Sequence, residues 1–174
     1  MTAIPRGAVI VAIGPGGLAL AGKIKDVLPD AAVHGLRERA DGAGETFSNT
    51  AGHLRSLFAA GRPIVGICAA GIMVRALAPL AADKKTEPPV VAVAEDGSAA
   101  VPLLGGHNGA NRLAQAIAGA TGGTAAITTA GDVRFGLALD DPPPGWRIAN
   151  HAAAKGIAAA LLAGQPVALV VEAG

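Results

Sequence analysis

The chain has 174 residues, enough for one domain with room for a small appendage. Hydrophobic residues make up 51% of it, which supports a packed core and argues against disorder. Its 14 basic and 13 acidic residues leave a net charge of +1, so no global field recruits a polyanion and any charged ligand must be held locally. Four aromatic residues, Phe47, Phe58, Phe135 and Trp146, are too few for a base-stacking surface, so no nucleic-acid partner is expected. Cys68 is the only cysteine, which excludes an intramolecular disulfide and any multi-cysteine metal site. The opening MTAIPRGAVIVAIG lacks the basic start and long apolar run of an export signal. No stretch approaches the ~18 unbroken apolar residues of a membrane span. The expectation is a cytoplasmic protein with no membrane partner.

In chain order, AVIVAIG (8–14) is a β-branched strand ending in glycine, and GPGG (14–17) leads into a helical pattern over 18–28 that Pro29 stops. AAVHGL (31–36) is a second strand, 37–51 a polar, Gly-rich loop, and HLRSLFAAG (53–61) a short helix. PIVGICA (63–69) is a third, buried strand. GIMVRALAPL (71–80) returns to helical spacing until Pro79, which lacks the amide hydrogen a helix interior needs. ADKKTEPP (82–89) is a charged loop. VVAVAEDGSAAVPLL (90–104) reads as a hairpin about Asp96-Gly97. A helix opens at GGHNG and runs to about Ala120, TAAITTAGD (124–132) is a strand breaking into a polar turn, and DDPPPG (140–145) is a linker. A helix near 150–163 and a strand at 166–171 close the chain.

Strands alternating with helices, several of them continuous apolar runs, predict an α/β fold. The sheet is open and mainly parallel, with helices on both faces and one β-hairpin, plus a short C-terminal helix-strand segment. The expected division is an α/β domain over 1–139, then linker and appended segment over 140–174.

GPGG after the first strand has the look of a dinucleotide loop, but Ala19 stands where the third glycine belongs and no acidic residue ends the second strand. A tight turn, or a turn lining an anion site, is what remains. Arg75 interrupts an apolar helix: either it lies along the helix edge in solvent, or it meets a ligand carboxylate. Asp83, Lys84, Lys85 and Glu87 share one loop, either simply solvated or with its lysines holding carboxylates as point charges. In LLGGHNGAN, Gly105 and Gly106 permit a sharp turn and Asn108 is placed to cap the following helix. His107 would then stand at a helix N-terminus, where the dipole disfavours its cation and leaves the neutral imidazole a general base needs; a packing or capping histidine is the other reading. Thr128, Thr129 and Asp132 end a strand and are expected to share a crevice with His107, since open α/β sheets bind ligands at strand carboxyl ends. His34, His53, His151 and Cys68 show no partners in the pattern and read as structural.

Taken together, three ordered blocks carry a resemblance: GICAAGIMVRALAPLAADKKTEPPVVAVAEDG, PLLGGHNGANRLA and ITTAGD. They are similar to the N-terminal domain of the CbiG family, the cobalt-precorrin-5A hydrolases of cobalamin (vitamin B12) biosynthesis. GPGGLALAGKI also resembles the family's start, and NHAAAKGIAAALLAGQPVALVVEAG its middle region. Gly105 stands where the family has Ser, Asn108 where it has the first glycine of a pair, Glu87 where it has Asp and Gly131 where it has Thr. The resemblance implies that this chain is the family's N-terminal domain and the start of its middle region, without the C-terminal domain. Units of this kind resemble those fused to precorrin-3B C17-methyltransferase.

The chemistry implied is hydrolysis of a corrinoid δ-lactone with release of acetaldehyde, in which His107 is the base. Arg75, Lys84 and Lys85 would meet the carboxylates of the macrocycle's rim. Gly105, Gly106, Asn108, Asn111, Thr128, Thr129 and Asp132 would line the substrate, and amides at 107–110 would stabilise the oxyanion. No cofactor and no protein metal site are implied, since any cobalt arrives in the substrate. The partners implied are a tetrapyrrole or corrinoid intermediate and a fused or associated precorrin methyltransferase; a homodimer is compatible with the sequence. Two further readings stand beside the hydrolase: a module that only holds or hands over a corrinoid, and a phosphate- or nucleotide-binding domain built on GPGG. The expectation with the most consequence is spatial: the loops carrying His107, Arg75 and Thr128 converge at one rim of the sheet.

Overall fold

The computed structural model describes residues 4–40, 42–84, 86–135, 147–168 and 170, and of His107, Phe135 and His151 the backbone alone. It divides into two compact units, one from Ala3 to Ile127 and one from Thr128 onward.

The first unit is built on a seven-stranded sheet. In chain order its strands are β1 (Val9–Ala12), β2 (Ala32–Leu36), β3 (Glu45–Phe47), β4 (Ile64–Ile67), β5 (Val90–Val93), β6 (Ala99–Leu104) and β7 (Thr124–Ala125). They lie in the order β3-β2-β1-β4-β5-β6-β7. β1 pairs in parallel with both β2 and β4, β2 with β3, and β4 with β5. β6 returns antiparallel to β5 through the Asp96-Gly97 hairpin, and β7 follows β6 in parallel. Every residue of β1, β4 and β5 is buried, as continuous apolar runs in a sheet covered on both faces require.

Two cores flank the sheet. One joins Ile10, Val65, Ile67, Val91 and Val93 to helices α1 (Pro15–Lys25) and α4 (Ala110–Thr121) through Leu20, Ile24, Leu113 and Ile117. The other joins Val9, Val11, Ile64, Val90 and Ala92 to α2 (Thr50–Ala59) and α3 (Ala70–Leu77) through Leu54, Leu57, Met73 and Leu77. Gly66 brings α3 close to β4, since a side chain there would collide with the sulfur of Met73. The expected α/β architecture, with its mainly parallel sheet and single hairpin, is what the chain adopts.

Several local expectations need correction. The stretch 37–51 is not all loop: β3 pairs at the sheet edge, and α2 starts at Thr50, with Asn49 Oδ1 accepting from the Gly52 amide at 3.0 Å. Three residues with only Phe47 buried are too few to show an alternating pattern. Asn108 does not cap α4. That helix begins at Ala110, and its N-cap is Gly109 at φ +108°, a left-handed conformation that suits glycine.

In the second unit, Thr128 and Thr129 precede α5 (Ala130–Phe135), which contains Asp132. Asn150 caps α6 (His151–Leu162), and Arg134 donates to the Leu162 carbonyl. Residues 165–168 and 170 carry no strand where 166–171 were expected to form one. The linker 140–145 and the expected boundary after residue 139 lie outside the described residues. Among the described residues, no helix is long and apolar enough to cross a membrane.

Candidate functional site

The GGHNG turn is held by sterics and by its own backbone. Gly105 sits at φ +66°, and a Cβ there would stand 2.5 Å from the Pro88 carbonyl oxygen, so only glycine fits. Residues Gly106–Asn108 form a single 3₁₀ turn. The amides of Asn108 and Ala110 donate to the Gly105 carbonyl at 2.9 and 3.1 Å, and that of Gly109 to Gly106 at 3.4 Å. These three amides are therefore spent inside the turn, which overturns the expected oxyanion cradle at 107–110. Asn108 Nδ2 donates to the Glu87 carbonyl at 2.7 Å. Its side chain thus fastens the turn to the end of the charged loop instead of capping the helix. Asn111, buried in the first turn of α4, backs Gly106 from within.

The direction of β6 decides where this turn stands. Leu104 pairs with Val90, the first residue of β5, so the turn lies at the amino-terminal edge of the parallel strands. The loop carrying Asp83, Lys84 and Glu87 enters β5 at the same edge. There the Thr86 and Glu87 amides donate to the Asp83 carbonyl, and Lys84 is exposed. Lys85 lies outside the described residues, as does the side chain of His107.

Beside the turn is an apolar cavity of about 340 Å³, lined by Met73, Val74, Leu77, Ala78, Ala81, Leu103 and Leu104. A β-bulge makes room for it. Val90 pairs with Leu104 but Val91 with Pro102, so Leu103 is the extra residue, and both leucines pack toward the α3 face. β7 pairs only with Ala99 and Ala100, so the far half of β6 stays partly exposed. On α3, Val74, Ala78 and Ala81 form one stripe at helical spacing, and Val74 is 53% exposed. Arg55 Nε donates to the Ala76 carbonyl at 2.8 Å and holds the end of α3 against α2. Sequence reading passed over Arg55, because its partner lies 21 residues away.

Arg75 does not reach the turn. It is exposed, and its guanidinium folds back over the first turn of α3, with Nη1 3.1 Å from where a Gly71 Cβ would stand. That first turn follows the carboxyl end of β4, at the opposite edge from His107. The GPGG turn shares this carboxyl edge. A Cβ on Gly16 would lie 2.6 Å from Glu95 Oε1, so a carboxylate already stands against the start of α1. An anion bound at GPGG would meet that negative charge, which weighs against the phosphate reading. Burial pushes the nearby Cys68 thiol up to about 11, so it stays protonated and unreactive near neutral pH. The expected convergence is thus met by two stretches, 83–87 and 105–109, and not by Arg75. Thr128, Thr129 and Asp132 belong to the second unit.

The histidines expected to stand alone do not. His34 Nδ1 and His53 Nε2 are 2.9 Å apart, and His34 Nε2 is 3.4 Å from Glu45 Oε2. Burial holds both imidazoles below their ordinary 6.5. Glu45 opposes that shift in both, Arg62 adds to it at His34, and His34 adds to it at His53. No motif links residues 34, 45 and 53; only the β2–β3 register and the α2 packing bring them together.

The fold and the two joined stretches define a cobalamin-synthesis type of α/β domain. Residues 52–132 match the family described as Cobalamin synthesis G N-terminal. The chain is 38% identical over 143 residues to the cobalt-precorrin-5A hydrolase of Salmonella typhimurium, covering 80% of this chain and 40% of that protein. It is 33% identical over 124 residues to the cobalt-precorrin-5A hydrolase of Priestia megaterium, covering 70% and 33%. A crystal structure described as a cobalamin biosynthesis protein G homolog from Sulfolobus solfataricus shares the fold, with a TM-score of 0.54 and 21% identity over 97% of this chain and 51% of that one. The chain belongs to the CbiG family. It spans well under half the length of the curated relatives it matches.

Proposed function

We propose that this chain is a hydrolase domain of cobalamin biosynthesis that acts on cobalt-precorrin-5A or its cobalt-free counterpart. Water adds to the lactone carbonyl, the ring C–O bond breaks to a carboxylate and an alcohol, and the two-carbon fragment departs as acetaldehyde. One observation carries this reading: the most distinctive family block, LLGGHNGAN, leads out of the apolar cavity through Leu104 directly into a rigid glycine turn.

A cavity of about 340 Å³ takes an apolar edge of a broad macrocycle, whose carboxylated rim stays in solvent. Lys84 and Lys85 meet carboxylates on the turn side, and Arg75 meets one on the far side of α3. Gly105 and Gly106 admit the ligand close to the backbone, and Asn108 and Asn111 hold that backbone still. His107 takes the proton from the attacking water. Thr128, Thr129 and Asp132 complete the substrate contacts from the second unit. The protein supplies no metal to this step; cobalt, where present, is part of the substrate. The reaction's place is the cytoplasm.

The test is acetaldehyde release by the whole chain with cobalt-precorrin-5A. His107→Ala should lower turnover by roughly 10²–10⁴-fold while the visible-band shift of the bound corrinoid persists. Turnover equal to that of the unaltered chain would remove His107 from the role of base.

One feature favours a second reading. Gly105 and Gly131 stand where the resembling family carries hydroxyls, which suits a module that binds a corrinoid for a fused precorrin-3B C17-methyltransferase. That reading gives the band shift with no acetaldehyde.

A further inference from the structure

We propose that His34, His53 and Glu45 form a binding site for one divalent cation of the zinc class. The site is at the β2–β3 end of the sheet, and the inference is independent of the corrinoid reading. His34 on β2 is directly opposite Glu45 on β3 in the parallel register, and His53 lies in the first turns of α2. One donor atom from each residue falls within 4.8 Å of the other two.

Zinc binds imidazole nitrogen at about 2.0–2.1 Å and carboxylate oxygen at about 2.0–2.2 Å, so tetrahedral donors stand ~3.3 Å apart. The two contacts present, 2.9 Å between the imidazoles and 3.4 Å from His34 to Glu45, bracket that spacing. Only small side-chain adjustments separate the existing cluster from a coordination shell. Glu45 is exposed and free to swing.

Both imidazoles offer lone pairs near neutral pH, because burial disfavours their cations. His53 is also held in place by stacking on Phe47, with ring centroids 4.4 Å apart and planes 6° from parallel. Two nitrogens and one carboxylate leave a fourth position for water. A cavity of about 580 Å³, lined by His34, Glu45, Gly44 and Lys25 among others, gives an ion and its water a way in. Arg62 and Lys25 are the opposing charges nearby, and Glu45 offsets them. Nitrogen donors with a single carboxylate select zinc, cobalt or nickel over magnesium or calcium. A bound ion would tie the three-residue edge strand β3 to the β2 and α2 that flank it.

The test uses the untagged 174-residue chain. Zinc is titrated in competition with a chromogenic chelator, and cobalt(II) is followed by the visible absorption of a tetrahedral site. The expected result is one zinc per chain, a raised melting temperature, and an intense cobalt band. His53→Ala and Glu45→Gln each change a side chain that does not carry the buried core, and each should weaken zinc binding at least about 10-fold. Less than one equivalent bound at high micromolar zinc overturns the proposal, as does equal affinity in the unaltered chain and both variants. Loss of corrinoid turnover would leave these outcomes unchanged, so the two readings fail separately.

Discussion

The two edges of the parallel strands are built differently. At the carboxyl edge, the GPGG turn opens helix α1, but the Glu95 carboxylate is packed against Gly14 and Gly16. At the amino edge, the GGHNG turn is pinned to Pro88 and Glu87, and an apolar cavity opens beside it. Glycine-rich sequence at a helix start is common to both, yet one turn faces a negative charge and the other an apolar hollow. A turn's composition therefore says less about its ligand than its surroundings do.

The sharpest way to break this contrast is Gly105→Ala. A left-handed φ and a Cβ 2.5 Å from a backbone oxygen should together cost at least about 3 kcal/mol in urea unfolding. A loss under about 1 kcal/mol would mean that the turn yields and is not the rigid element described. Gly22→Ala is the control: no atom lies within 4 Å of its Cβ position, and alanine is the better helix former, so α1 should be unharmed.

A smaller effect is expected from Asn108→Ala, which removes the bond to the Glu87 carbonyl. It should cost about 1 kcal/mol and loosen the turn without unfolding the sheet. Amide exchange at residues 105–110 no faster than in the unaltered chain would show that the bond does not fasten the turn.

The smallest effect should be a pH dependence from the far end of the sheet. Both His34 and His53 are depressed below their ordinary 6.5, chiefly by burial. Above 6.5 they are neutral in folded and unfolded chains alike, and their contribution to stability is complete. As pH falls through 6.5 the unfolded chain takes up protons first, and that contribution is lost toward the lower folded values. Melting temperature should therefore decline between pH 7 and 5, and His53→Gln should flatten the decline. An unchanged slope in that variant would remove the imidazole pair as its source.

Much of the fold was legible because its signals are local. The buried strands are continuous apolar runs, Pro29 and Gly61 bound helices, and Asp96-Gly97 marks the hairpin. The GGHNG block was legible as a site for the same reason: its residues are adjacent in the chain. Its edge was not. Reading ligand sites at strand carboxyl ends holds for parallel strands, and β6 runs the other way, so its carboxyl end is at the sheet's amino edge. Arg75 was placed by residue type alone, which does not say that its side chain folds back over Gly71. The His34–Glu45–His53 cluster left no trace in the pattern, because strand register and helix packing create it.

The most direct measurement is a crystal structure of the chain with a bound corrinoid acid. The account predicts the macrocycle's apolar edge in the hollow between α3 and β6, with residues 105–109 against it. A macrocycle seated at the GPGG edge, with that hollow empty, would contradict it.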